Sequence, residues 1–369
     1  MGNVFKKNNK NLFKHIKLKL TYITRTSISS DAAQAKQINC MSKAFNGILG
    51  ENFTLICPGE SPYEEIDHKT IKNIKNIGLR TNLLLIFKIF FIRKNMFFTR
   101  DILLASVSAT LKKSTILELH QPHRSFYTKL LFFYLVKFTE LKFVTISNAL
   151  KDYFIKTYKL SAQRILVAHN GVFSNECIEM NKIKLRNELG IPKSKFVFVH
   201  TGSLYKGGHE VYETLLQINI DNIHFIHVGG TLDECKKMSD LYSHSNRISF
   251  IPHVHSSEII KYQMSADALL YINVRTSPIY WCTSPLKIFE YMSCKIPILG
   301  SNVGSVAEVL NNSNAFCYDP DVPKEIQYQA KELINNYDEA KKRAANAKEE
   351  AINFYDWYSR AKKILDFFD

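Results

Sequence analysis

Short, almost wholly apolar runs separated by longer stretches of helical spacing recur along this chain, and no other feature restricts its fold so tightly. In the first half, Leu18–Thr24, Phe53–Cys57, Met96–Thr99, Ser114–Leu119, Phe143–Ile146 and Ile165–Ala168 read as strands, with helices expected over Asp31–Asn46 and Asn148–Tyr158. The second half repeats the rhythm with Phe196–Thr201, His224–Val228, Ile248–Ile251, Ala268–Ile272, Ile296–Gly300 and Ala315–Tyr318. Strands apolar on both faces and followed by helices belong to parallel sheets covered on both sides. Two such sets in succession predict two doubly wound α/β domains facing a cleft. The polar stretch from Gly171 to Pro192, with its Gly190-Ile191-Pro192 break, is the expected boundary. The C-terminus reads as helical from Pro323 to Phe368. Over Asn353–Phe368 the residues Phe354, Trp357, Tyr358, Ala361, Ile364 and Leu365 fall at helical spacing.

Hydrophobic residues make up 46% of the 369 positions, enough for packed cores, and the formal net charge is +15. That excess favours anionic partners: nucleic acid, acidic lipid or phosphorylated small molecules. The lysines are dispersed and no recognition motif appears, which argues against nucleic acid. The 7 cysteines form no CxxC pair, which argues against a disulfide framework and a zinc site and makes a reducing cytoplasm the simplest compartment. Met1–Lys19 is basic without a continuous apolar core, so it does not read as a signal peptide. The runs Leu83–Ile92 and Leu130–Val136 are too short to span a bilayer, which needs about 20 residues. Lys88 interrupts the first, and Lys129 and Lys137 bracket the second. Buried helices are the favoured reading of both. The other is an amphipathic surface resting on anionic lipid.

In open α/β sheets ligands bind beyond the carboxyl ends of the strands, so the chemistry is sought there. The strand Phe196–Thr201 runs into Gly202-Ser203 and then Lys206-Gly207-Gly208 at an expected helix start. Glycines admit close backbone approach, free amides at a helix start attract phosphate, and Lys206 adds a full charge; together they can hold a diphosphate. A glycine-rich turn with a solvated lysine carries equal weight. In Ser284-Pro285-Leu286-Lys287-Ile288-Phe289-Glu290, Ser284 fits an N-cap and Pro285 the first helical turn. Lys287 and Glu290 share a helix face, and Glu290 can accept two hydrogen bonds from a ribose diol. Alone, this segment reads better as a capped helix with a local ion pair. His120 closes the strand Ser114–Leu119, where it can position a hydroxyl or orient a reacting sugar; satisfying loop hydrogen bonds is the equal alternative. His123 and His169 read as structural, and Asn170-Gly171 as a turn without chemistry.

In their order these pieces resemble the family 4 (group 1) glycosyltransferases. The runs that carry the likeness are Ser147–Tyr153 (SNALKDY), His169–Val172 (HNGV), His200–Gly207 (HTGSLYKG), Ser265–Leu270 (SADALL), Ser284–Met292 (SPLKIFEYM), Pro297–Leu310 (PILGSNVGSVAEVL) and Tyr355–Phe367 (YDWYSRAKKILDF). The first half matches more thinly, through Ala33–Phe45, Thr99-Arg100 and Glu118–His120. The resemblance implies the GT-B fold: two Rossmann-like domains, 1–175 for the acceptor and 176–352 for the donor, with a C-terminal helix over 353–369 crossing back to the first. It implies transfer of a sugar from a nucleoside-diphosphate sugar to an acceptor hydroxyl with retention at the anomeric carbon. No metal and no cofactor beyond that substrate are expected. Lys206 matches the lysine that binds the diphosphate, and Glu290 the glutamate that binds the ribose. The amides around Ser284, Pro285 and Leu286 match those near the phosphates. Gly202, Ser203 and Lys287 complete the expected donor set, and His120 and Lys206 are the residues expected to act in catalysis. Helix N-termini and positive charge would stabilise the departing diphosphate.

The sequence departs from the family pattern at three places. Cys282 stands where a first glutamate often precedes Glu290, Ser203-Leu204 replace a basic residue after Gly202, and Ser27–Ala35 replaces a glycine-rich loop. A sugar-nucleotide epimerase would need paired acid–base carboxylates, which are not evident, and a non-catalytic sugar-nucleotide or glycan-binding protein finds support only in Cys282. The expected partners are a nucleotide sugar, a saccharide or lipid-linked acceptor of surface polysaccharide or glycolipid synthesis, and an anionic membrane surface. The expected location is the cytoplasm, peripheral on the inner face of the membrane.

Overall fold

The computed structural model describes residues 18–29, 32–58, 68–71, 79–93, 95–173, 180–204 and 208–368. The chain divides into two compact units, Met1–Asn170 with Trp357–Asp369, and Gly171–Asp356.

The first unit holds β1 (Leu20–Ile23), α1 (Ala33–Leu49), β2 (Phe53–Pro58), β3 (His68–Ile71), α2 (Leu79–Phe91), β4 (Met96–Thr99) and α3 (Ile102–Thr110). It continues with β5 (Thr115–Leu119), α4 (Phe126–Phe138), β6 (Lys142–Thr145), α5 (Asn148–Tyr158) and β7 (Ile165–Val167), and ends with α13 (Trp357–Asp366). Its strands form one sheet in the order β3-β2-β1-β4-β5-β6-β7, parallel at every pairing. The order reverses between β1 and β4. β1 and β5 are buried along their whole length, as strands covered on both faces must be. Ile23, Ile56 and Phe97 of the sheet pack with Leu85, Ile89 and Leu104 of the helices.

The second unit holds α6 (Lys182–Glu188), β8 (Phe196–Thr201), α7 (Glu210–Leu216), β9 (Ile223–Val228), α8 (Leu232–Leu241), β10 (Ile248–Ile251) and α9 (Ser256–Ser265). Then come β11 (Ala268–Tyr271), α10 (Leu286–Ser293), β12 (Ile298–Ser301), β13 (Phe316–Tyr318), α11 (Pro323–Asn335) and α12 (Tyr337–Phe354). The sheet order β10-β9-β8-β11-β12-β13 is the doubly wound order, with its switch point between β8 and β11. Alternation along β8 shows how both faces are filled. Val197 and Val199 pack with Ile288, Phe289 and Met292 of α10. Phe198 packs on the other side with Tyr212 and Leu215 of α7 and Leu333 of α11.

Three expectations need correction. Strand β3 was not foreseen: it lies in a lysine-rich stretch and pairs only with β2 at the sheet edge, where an apolar run is not required. The favoured reading of Leu83–Ile92 and Leu130–Val136 as buried helices fails. Only one stripe of each faces the core, Leu85 and Ile89 on α2 and Phe132, Leu135 and Val136 on α4; Leu83, Phe87, Phe90, Leu130 and Phe133 are exposed. The apolar C-terminal segment is two helices. α12 ends at Phe354, which is exposed, and α13 begins at Trp357 and buries Trp357, Ala361, Ile364 and Leu365. The residues between pair with the start of the unit: Val172 N–H donates to the Tyr355 carbonyl at 2.9 Å and Val172 bridges Asp356. Among the described residues no helix is long and apolar enough to cross a membrane.

Candidate functional site

In the second unit the site is built where β8 stops. Gly202 N–H donates to the Val228 carbonyl of β9 at 2.8 Å, so the chain leaves β8 still tied to the sheet. Behind this turn stand two buried histidines, His200 of β8 and His227 of β9. His227 donates from Nε2 to the Gly202 carbonyl at 2.9 Å and accepts at Nδ1 from the Tyr212 hydroxyl at 2.8 Å. His200 donates from Nδ1 to the Leu270 carbonyl of β11 at 2.8 Å, fastening the two strands of the switch point. Burial, aided by Lys287, pushes His227 down to about 4 against the pull of the Gly202 carbonyl, so the ring is neutral at physiological pH. In that form, with its proton on Nε2, the ring makes both hydrogen bonds and holds the Gly202 carbonyl in place.

The start of α10 is brought to the same point. Lys287 Nζ donates to the Thr201 carbonyl, and a Cβ on Gly202 would collide with that ammonium group. Four residues on, the buried Tyr291 hydroxyl receives the Thr201 N–H at 2.8 Å and lies 3.0 Å from Thr201 Oγ1. Positions four apart share a helix face, so α10 docks on the end of β8 by two polar anchors. Gly202 and Ser203, half-buried, thus adjoin Lys287. Ser284 is not the N-cap. Pro285 occupies that position, with φ −68° and ψ 129°, and its ring has no group to cap the first turn. Ser284 is buried, Pro285, Leu286 and Glu290 are half-buried, and Ser305 Oγ donates to the Thr283 carbonyl. The positive end of the helix dipole lies at this turn, where it favours an anion. Lys206 and Gly207 lie outside the described residues.

One component of this half-site escaped the sequence reading. β9 runs into Gly229-Gly230, with φ +132° and +94°. Gly229 sits against the backbone of Gly202: its N–H donates to the Ile251 carbonyl at 2.8 Å, and a Cβ there would lie 2.8 Å from the Gly202 carbonyl carbon. The paired glycines after an apolar strand were the available signal. Cys282 is buried, and burial pushes its thiol up to about 12. A neutral thiol therefore stands where the family pattern often has a carboxylate.

In the first unit, the ends of β4 and β5 carry charge. At the switch point Asp101 receives the Thr24 hydroxyl and the Arg25 N–H, each at 2.9 Å, and Arg25 Nε at 2.7 Å. At the end of β5, Glu118 is fully buried and its Oε2 is 2.9 Å from His120 Nε2. Arg360 of α13 donates to Glu118 Oε1, and Arg100 Nε lies 4.0 Å from Oε2. Burial opposes ionisation of Glu118, but Arg360, His120 and Arg100 outweigh it and hold the carboxyl well below its ordinary value. Burial and Arg100 push His120 down to about 4 against the attraction of Glu118. His123 packs among Phe132 and Phe154, and the His169 carbonyl receives Arg360 Nε at 2.8 Å. Among the described residues no cluster of three or more His, Cys, Asp or Glu side chains could hold a metal ion.

Residues 181–350 match the family model described as glycosyl transferases group 1. Among solved structures, a glycosyltransferase from Rickettsia africae superposes with a TM-score of 0.76 at 17% identity, over 95% of this chain and 98% of that one. Anabaena HepE, crystallised with UDP-glucose, gives 0.74 at 18% identity, over 95% and 98%. WaaG, a glycosyltransferase involved in lipopolysaccharide biosynthesis, gives 0.67 at 12% identity, over 94% and 99%. At such identities the likeness establishes the fold, which is GT-B. No curated protein sequence matches this chain.

Proposed function

We propose that this chain, whose residues 181–350 match the glycosyl transferases group 1 model, is a glycosyltransferase that moves a sugar from a nucleoside-diphosphate sugar to an acceptor hydroxyl with retention of configuration. The observation that carries the donor assignment is the approach of Lys287 to Gly202 at the β8–β11 switch point, where an α/β sheet takes its ligand. The diphosphate would sit over Gly202 and Ser203 against the amides around Ser284, Pro285 and Leu286, neutralised by Lys287 and Lys206. Glu290, one turn into α10, would accept hydrogen bonds from the ribose diol. HepE's complex with UDP-glucose supports a nucleotide sugar as donor. The bond from the anomeric carbon to the diphosphate oxygen breaks. The acceptor oxygen bonds to that carbon from the same face, and the acceptor proton passes to the departing diphosphate oxygen. No protein nucleophile is needed, so a neutral Cys282 is no obstacle. The two cations and the helix start stabilise the leaving charge.

The test of the ribose assignment is Glu290→Ala. Loss of charge-assisted hydrogen bonds worth about 1.5–3 kcal/mol should raise the donor KM by roughly 10- to 100-fold with little change in melting temperature. An unchanged KM would remove Glu290 from the site.

The acceptor side of this reading is a saccharide or lipid-linked acceptor of polysaccharide or glycolipid synthesis, used at an anionic membrane surface. Two helices of the first unit support the membrane contact. α2 exposes Leu83, Leu84, Phe87, Phe90 and Phe91, and α4 exposes Phe126 (82%), Tyr127, Leu130, Phe133 and Phe138 (72%). Both pack against α3. Positions 79–93 and 124–138 contain Arg80, Lys88, Arg93, Arg124, Lys129 and Lys137 and no acidic residue. Exposed aromatic rings among cations suit an acidic lipid surface, where each basic residue contributes about 1 kcal/mol. The protein should co-sediment with vesicles containing acidic phospholipid, less so as salt rises, and Phe87→Glu with Phe126→Glu should abolish it. Equal binding to zwitterionic vesicles, indifferent to salt, would contradict the electrostatic contact.

A further inference from the structure

We propose that Glu118 is a positioning residue: its carboxylate, clamped from the C-terminal helix by Arg360, locks His120 in the Nε2–H tautomer and so presents Nδ1 as a hydrogen-bond acceptor for a sugar hydroxyl. The proposal deepens the transferase reading and rests on it for the identity of the hydroxyl.

The geometry leaves one tautomer. Glu118 is ionised among two arginines, and an ionised carboxylate only accepts hydrogen bonds. The 2.9 Å contact from Glu118 Oε2 to His120 Nε2 therefore needs the proton on Nε2. A neutral imidazole has a single N–H, so Nδ1 keeps its lone pair. The His120 side chain is 20% exposed while Glu118 is fully buried, so the ring has an accessible edge and its anchor does not.

The orientation of Glu118 is over-determined. Gln37 Nε2 donates to both of its oxygens, at 3.2 and 3.1 Å. The Gln37 amide is itself turned by Arg100, which donates to its Oε1 at 2.8 Å. Arg360 also donates to the Ala168 and His169 carbonyls past the end of β7, at 3.1 and 2.8 Å, so α13, β5 and β7 are bound by one guanidinium. Fastening a helix to a sheet does not call for buried charge, because apolar side chains of the same volume serve as well or better. What an apolar contact would not supply is a fixed proton on one nitrogen of a strand-end histidine. A carboxylate hydrogen-bonded to the far nitrogen supplies it, as one sets the tautomer of metal-bound and catalytic histidines.

Two measurements test this on the full chain. In nitrogen-15 NMR of histidine-labelled protein, His120 should show a protonated Nε2 and an unprotonated Nδ1, with no titration between pH 8 and 5.5. The kinetic arm is a double-mutant cycle. Glu118→Gln, which leaves the ring free to adopt either tautomer, should lower kcat by about tenfold while the donor KM stays unchanged. In the His120→Asn background, where an amide carbonyl can accept the hydrogen bond without help, the same change should cost less than about twofold. A proton on Nδ1 in the wild-type protein would overturn the proposal. So would an equal loss from Glu118→Gln in both backgrounds, which is the outcome for a purely structural clamp. The NMR arm uses wild-type protein and no substrate. It therefore decides the point even if a variant does not fold or no nucleotide sugar is turned over, and it separates this failure from failure of the transferase reading.

Discussion

Lys287→Ala should lower kcat/KM for the nucleotide sugar by about 100- to 1,000-fold, the range found when one preorganised charge-stabilising donor is removed from an active site. The loss should lie mainly in kcat, because negative charge on the diphosphate grows as the anomeric bond breaks. Lys287 is held where this charge would develop: its ammonium group donates to the Thr201 carbonyl and adjoins Gly202, while Tyr291, one turn on, fixes the helix to the same strand end. Because Tyr291 stays in place, the variant should fold. Lys206→Ala should cost a similar factor if the two lysines share the leaving charge. Activity of Lys287→Ala within about threefold of wild type would remove Lys287 from the donor site.

The second large effect is expected at Gly229. Alanine there meets the Gly202 backbone with a Cβ 2.8 Å from its carbonyl carbon, at φ +132°. The obstacle is main chain, so relief requires moving either strand end. The strain and the overpacking together should cost about 3 kcal/mol and lower the melting temperature by roughly 5–10 °C. The displaced loop is the one assigned to the diphosphate, so donor affinity should fall as well. Gly190→Ala is the control. Its φ is +67°, but nothing lies within 4 Å of the added Cβ. It should cost about 1 kcal/mol and leave the donor KM unchanged. Equal behaviour of the two variants would mean that Gly229 does not shape the loop.

The α/β architecture was legible because continuous apolar strands leave little choice of fold. β4, β8, β10 and α5 begin and end where the residue pattern places them. What stayed hidden did so for physical reasons. β3 is an edge strand in a polar stretch, so burial left no mark on its sequence. The exposed faces of α2 and α4 carry large apolar side chains like a core face, and composition cannot tell a buried apolar face from an exposed one. In the proposed donor site, residue types pointed to Gly202, Lys287 and Glu290, and the structure brings Gly202 and Lys287 together. The glycines after β9 have no adjacent lysine or arginine to flag them, and the role of His227 appears only through its bond to the Gly202 carbonyl. Ser284 was read as a cap from its residue type, but Pro285 holds that position by its backbone angles. The pairing of Glu118 with Arg360 joins positions far apart in the chain, and no local spacing reports it.

The most direct measurement of the central claim is a panel of nucleotide sugars incubated with the wild-type protein and with Lys287→Ala, read by mass spectrometry. At least one donor should be converted to nucleoside diphosphate with its sugar transferred or released, and the conversion should be lost in the variant. Nucleoside diphosphates that raise the melting temperature while every nucleotide sugar stays intact would contradict it and mark the protein as a binder that does not transfer.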